Sequence, residues 1–133
     1  MSDTVTIPPI VDHGQKIPPP QGKVIGFIDG KAEFDAFAAA VRAAGYPAEK
    51  ISSLYGEDGI HLLERLKKNN FFFGDSEDSV IHQSIKELGQ GHYAAAVDVA
   101  DHKQAVQIAS LAKPHGGHSF SYFGLWVTEQ LSS

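Results

Sequence analysis

Apolar and polar positions alternate along the chain in a way that marks out strands and helices in a repeating order. "KVIGFIDG" carries a short β-branched run, Val24 to Ile28, and predicts a first strand. Asp29 follows it and is placed to cap a helix, since a carboxylate accepts from free first-turn amides. "KAEFDAFAAAVRAAG" then repeats Phe34, Phe37, Ala38 and Val41 at helical spacing, and Gly45 and Pro47 end the run. "ISSLYG" predicts a second strand from Ile51 to Tyr55. Two helical stretches come next. One carries Ile60, Leu63 and Leu66; the other starts at Asp75 or Ser76 and carries Ile81, Ile85 and Leu88. "HYAAAVDVA" is a third strand with Tyr93, Ala95, Val97 and Val99 on one face. Asp101 and Gln104 have capping-box spacing ahead of a fourth helix with Ala105, Ile108, Ala109 and Ala112. "HSFSYFGLW" is the last strand.

The order is β-α-β, two helices, then β-α-β. Each half runs strand, aspartate, helix, returning strand, which is the split β-α-β duplication of the ferredoxin-like pattern. The predicted fold is therefore α+β: a ferredoxin-like sheet of four mainly antiparallel strands, with a helical pair inserted between strands two and three. Residues 23–133 read as one domain, with residues 56–91 as the insertion. Residues 1–22 stand apart, because five of the seven prolines fall there. Proline fixes φ and removes an amide donor, so this arm is expected to be extended, either as a tail or lying along the domain.

Both faces of the predicted sheet are apolar. Phe27, Phe123 and Leu125 fall on the opposite parity from Val24, Ile28, Phe120 and Tyr122, and two helices cover only one face. The second face needs either the inserted helices or another copy of the chain. Two-fold self-association is the commonest way to close an apolar patch, so a homodimer is expected. Its interface would draw on Phe71, Phe72, Phe73, Phe123, Leu125 and Trp126.

"VIGFIDGKAEFDAFAAAVRAAGYPAEKISSLYGEDG" resembles the opening of the heat-induced, YflT-type general stress protein domain: an apolar strand, an acidic turn, an alanine-rich helix, a Gly-aromatic stop and an "I-S-x-L" strand. The later "FFGDSEDSV" and "YFGLWVTEQL" resemble small bacterial proteins of similar layout. The resemblance spans about residues 23–130. It implies a ferredoxin-like fold and an association with stress, and it brings no active-site residues.

Charge and composition narrow the functions. A net charge of -5 opposes binding to nucleic acid or an anionic membrane, which needs a clustered basic footprint. The absence of cysteine removes thiol nucleophiles and zinc-thiolate sites and fits a reducing cytoplasm. No signal-like or membrane-spanning segment is visible in the sequence, so a soluble protein is expected. The serines lack a G-x-S-x-G context, and no glycine pattern matches a phosphate loop.

Seven histidines invite a metal reading. His115 and His118 flank a Gly-Gly pair, but zinc needs three or four ligands and two imidazoles on a turn make half a site. The glycines are explained by a tight turn that needs positive φ. His92, at the start of strand three, is the one histidine placed to approach them. His61 is not part of an HExxH motif, since no second histidine follows at i+4. No metal site and no cofactor are assigned. Asp98 stands in a strand of alanines and valines, so it is exposed, paired or functional. Three functions compete. The first is a noncatalytic binding or self-associating module. The second is a dimeric α+β barrel enzyme, or a small-molecule or haem binder, with His92 and Asp98 at its pocket. The third is a metal carrier using His115 and His118.

Overall fold

The computed structural model describes residues 11–12, 15–16, 22–69, 75–124 and 128–131. Its centre is an antiparallel sheet. Strand β1 (Lys23–Ile28) lies between β3 (Tyr93–Asp98) and β4 (His118–Phe123), with β2 (Ile51–Leu54) outside β3 and β5 (Thr128–Gln130) outside β4. The order β2-β3-β1-β4 is that of the ferredoxin-like α+β fold, and every neighbouring pair runs antiparallel. Strand β5 was not foreseen. "TEQ" has neither apolar alternation nor length, and its place comes from pairing with Ser121 to Phe123.

Helices α1 (Lys31–Ala43) and α4 (His102–Ala112) cover one face. Phe37, Val41, Ala105, Ile108 and Ala112 meet Val24, Ile28, Ala95, Val97 and Phe120 there, all buried. Each large side chain so buried stabilises the fold by roughly 1.5–3 kcal/mol. The parity expected for these strands holds.

Helices α2 (Gly56–Asn69) and α3 (Asp75–Gly89) pack on each other, and α3 also lies on β3. Together they close the opposite face over Phe27. Leu62, Leu63, Ile81 and Leu88 form a second buried cluster with Phe27, Leu54 and Ala94. This corrects the expectation of a second subunit at Phe27: the insertion itself is the cover. The alanines of β3 make that possible, because small side chains let a helix come close. Phe123 is 1 % exposed within the single chain. It therefore offers no surface to a partner, contrary to its expected interface role. Phe71, Phe72, Phe73, Leu125 and Trp126 lie outside the described residues.

Two short segments of the arm, Val11–Asp12 and Gln15–Lys16, pair antiparallel and lie beside α2, the second of them also beside β2. Among the described residues, no helix is long and apolar enough to cross a membrane.

Strand β4 departs from regular pairing at one point. Ile25 pairs with Ser121, yet Phe27 pairs with His118, so two residues of β4, Ser119 and Phe120, oppose Gly26 alone. That is a β-bulge. Ser119 holds a positive φ of 56°, the only non-glycine residue to do so among those described. Phe120 lies against the backbone of Gly26, and a Cβ built there would run into the ring.

The cap at α4 forms as expected: Asp101 Oδ1 accepts from Gln104 N at 3.0 Å. The reciprocal bond is displaced by one residue, since Gln104 Oε1 accepts from Ala100 N at 2.8 Å rather than from the cap residue itself. The cap expected at α1 does not form. Gly30 is its cap position and no side chain bonds there.

Two stability predictions follow from this packing. Asp101→Ala removes an acceptor for free helix amides and should lower unfolding free energy by about 0.5–2 kcal/mol; equal urea midpoints would contradict the assigned cap. Gly26→Ala forces Phe120 off its seat and should cost about 1–3 kcal/mol, as overpacking does. The same urea measurement checks it, and an unchanged midpoint would show that the ring is not confined.

Candidate functional site

The C-terminal end of β1 and the starts of β3 and β4 lie side by side, because β1 runs antiparallel to both neighbours. Asp29 follows β1, His92 precedes β3, and His118 opens β4. Simple alternation would put His118 on the same side as Phe120 and Tyr122, toward α1 and α4. The bulge adds one residue and reverses it. His118 instead pairs with Phe27, their rings 6.2 Å apart, on the side where α3 lies.

Helix α3 brings a carboxylate to meet these residues. Glu87 lies one turn beyond the buried Ser84, at the edge of the stripe that packs on the sheet. Its Oε1 accepts from His92 Nδ1 at 2.6 Å and from His118 Nε2 at 2.8 Å. The two imidazoles meet edge to face, 5.4 Å apart. The other nitrogen of His118, Nδ1, lies 3.0 Å from the Gly116 carbonyl and 3.5 Å from Asp29 Oδ1. Gly116 is in the left-handed region at φ 77°, and the Asp29 carboxylate lies so close over it that a Cβ would collide. The turn at the glycine pair thus forms as the sequence implied, and it also shapes the site.

A carboxylate and a carbonyl can only accept. His118 makes both hydrogen bonds only when both ring nitrogens carry hydrogen, that is, as the imidazolium. Its electrostatics agree. Burial pulls the His118 pKa down, but the bond to Glu87, the Gly116 carbonyl and the charges of Glu87 and Asp29 outweigh it, so it stands above the ordinary value. Burial pushes Glu87 up, and the hydrogen bonds and charges of the two histidines more than reverse this, holding it below the usual carboxylate range.

His92 therefore belongs to a cluster, but Asp98 does not share it. The two lie at opposite ends of β3, roughly 20 Å apart at strand rise. Asp98 faces Lys23 across the β1–β3 pair, with Lys23 Nζ 2.8 Å from its Oδ1. Within the single chain, His92 and Asp98 are thus not brought together. His115 does not enter the cluster either; its place is taken by Asp29, Glu87 and His92. Sequence reasoning missed both acids. Asp29 was read as a helix cap, and Glu87 was not singled out. The available signal was the position of Glu87 beside the Ile81–Ile85–Leu88 stripe. Nothing in the sequence marked Asp29.

Comparison with protein-family models, with curated proteins and with solved structures finds no match to this chain.

The site predicts how stability varies with pH. His118 binds its proton more tightly folded than unfolded, so its contribution is complete below about pH 6.5 and fades as pH rises through the higher folded value. Glu87 is the reverse: its contribution is complete above about pH 4.3 and fades as pH falls through the lower folded value. Urea midpoints should therefore form a plateau between these limits and decline on both sides. In His118→Asn the decline above pH 6.5 should be shallower; parallel curves for the two proteins would contradict the assigned pairing.

Proposed function

We propose that the chain is a small noncatalytic binding module whose working site is the seam where Asp29, Glu87, His92 and His118 meet. The stress-associated domain that its sequence resembles supplies the setting. One observation carries the reading: the bulge in β4. A positive φ at a non-glycine residue costs of order 1–3 kcal/mol and persists where surrounding structure imposes it. Here that cost goes to turning His118 away from the main core and toward Glu87. Asp29 points the same way. It forgoes the cap of α1, where an acceptor is ordinarily stabilising, and lies beside His118 instead. Two local departures from what favours the fold converge on the same few side chains, and such departures concentrate at functional sites.

Charge and composition support the rest of the reading. The net charge of -5 favours a ligand or partner other than nucleic acid, and the lack of cysteine agrees with a reducing cytoplasm. Self-association loses its main argument, since α2 and α3 cover Phe27. In this reading the single chain is the binding unit.

Native mass spectrometry of the chain purified from its own host tests the proposal. The expected spectrum shows a bound species on the wild-type protein that is absent from His118→Asn. A bare chain mass in both proteins, under conditions that preserve a control complex, would overturn it.

A further inference from the structure

The geometry points to a divalent transition-metal site of the zinc class, formed by Asp29, His92 and His118 and supported by Glu87. This rests on the binding-site reading above and names its ligand. A ligand atom from each of Asp29, His92 and His118 lies within 4.8 Å of the others. A tetrahedral ion with bonds of about 2.0–2.2 Å would require them to close to roughly 3.3 Å, a shift of side chains rather than backbone. Asp29 is free to make it, with a side chain 56 % exposed. The donor set suits zinc: two imidazoles and one carboxylate, in a chain without thiolates, leave a fourth position for water or a further ligand.

The arrangement around the histidines argues for an ion more strongly than proximity does. Glu87 engages one nitrogen of each ring, Nδ1 of His92 and Nε2 of His118. We assign the opposite nitrogens, Nε2 of His92 and Nδ1 of His118, as the ligating atoms; His118 Nδ1 already faces Asp29 and would give up its proton and its hydrogen bond to the Gly116 carbonyl on taking the ion. Metal-ligating histidines characteristically donate their second N–H to a carboxylate, which fixes tautomer and ring orientation. One half-buried carboxylate serving two histidines is that device used twice. Glu87 is the least exposed member of the group, its side chain 12 % exposed, as suits a supporting residue. It acts through the histidines and is a positioning residue. Asp29 and Glu87 together carry the two negative charges that a divalent ion neutralises.

The positions of the ligands explain why the sequence did not show them as one set. They come from the ends of three strands, at positions 29, 92 and 118, with no short-range spacing to mark them. Only the sheet order and the bulge bring them together.

The test is titration of the full, metal-stripped chain with zinc chloride, followed by calorimetry at pH 7.5, and with cobalt(II) followed by visible absorption. The expected result is one zinc per chain with a dissociation constant at or below about 10 μM, and a cobalt spectrum of tetrahedral or five-coordinate intensity. Glu87→Gln should weaken zinc binding about 10- to 100-fold and shift the cobalt bands. Asp29→Asn should weaken binding further while leaving the urea midpoint close to wild type, since that side chain is half exposed. His92→Asn should abolish stoichiometric binding. Absence of a saturable site, or a site whose affinity survives Asp29→Asn and His92→Asn, overturns the inference. A bound species in the native spectrum that depends on His118, without any zinc site, would leave the binding-module reading standing and remove only the metal. Failure of both measurements would remove both.

Discussion

The ring of Phe120 lying on the bare backbone of Gly26 is the contact on which the rest of the arrangement turns. It allows β4 to carry one more residue than the strand beside it. Below the bulge, Tyr122 and Phe120 face α1 and α4 and complete the larger core with Phe37, 6.0 Å away ring to ring. Beyond it, His118 faces the other way. One local irregularity thus finishes the packing of one face and begins the chemistry of the other. A side chain on Gly26 would oppose both at once.

The inserted helices do two jobs through neighbouring residues of α3. Ile81 and Leu88 join the cluster over Phe27, and Glu87 reaches the histidines at the end of the sheet. Apolar burial, which is non-directional, holds the helix down. The hydrogen bonds, which are directional, set its rotation and position along the sheet. Gln83 adds to this by donating to Ser119 Oγ at 3.0 Å, which ties the helix to the bulged residue itself. The site therefore depends on a rigid frame made from two elements distant in sequence.

Much of the fold was legible in the residue pattern. The helical spacing in α1 and α4, the apolar runs of the strands, the acid cap at Asp101 and the helical pair between strands two and three all follow from local chemistry. The duplication implied the sheet order as well. The site was only half legible: His92 and His118 stood out, but the acids that join them and the side His118 faces did not, for a specific reason. Counting alternate residues back from Phe120 assigns His118 to the wrong face, because a bulge shifts parity without leaving a clear mark in the sequence. Asp29 was misread on sound grounds: an aspartate at a strand-to-helix turn is usually a cap, and only the proximity of Gly116 and His118 diverts it. The second face illustrates a further limit. Its apolar character was plain, but sequence alone could not decide between cover from the same chain and cover from another. The partial burial of Ile60 and Ile85 beside Phe27's cluster shows how the insertion answers it.

The arm has a consequence for how the molecule behaves in a crowded solution. A strand at the margin of a sheet presents a row of unsatisfied amides and carbonyls that can template growth onto another molecule. On one margin, β5 is short, three residues long, which limits the template. On the other, β2 carries Ile51 and Leu54, and the segment Gln15–Lys16 lies beside it. Gln15–Lys16 thereby stands where a strand of another molecule would otherwise add to that margin.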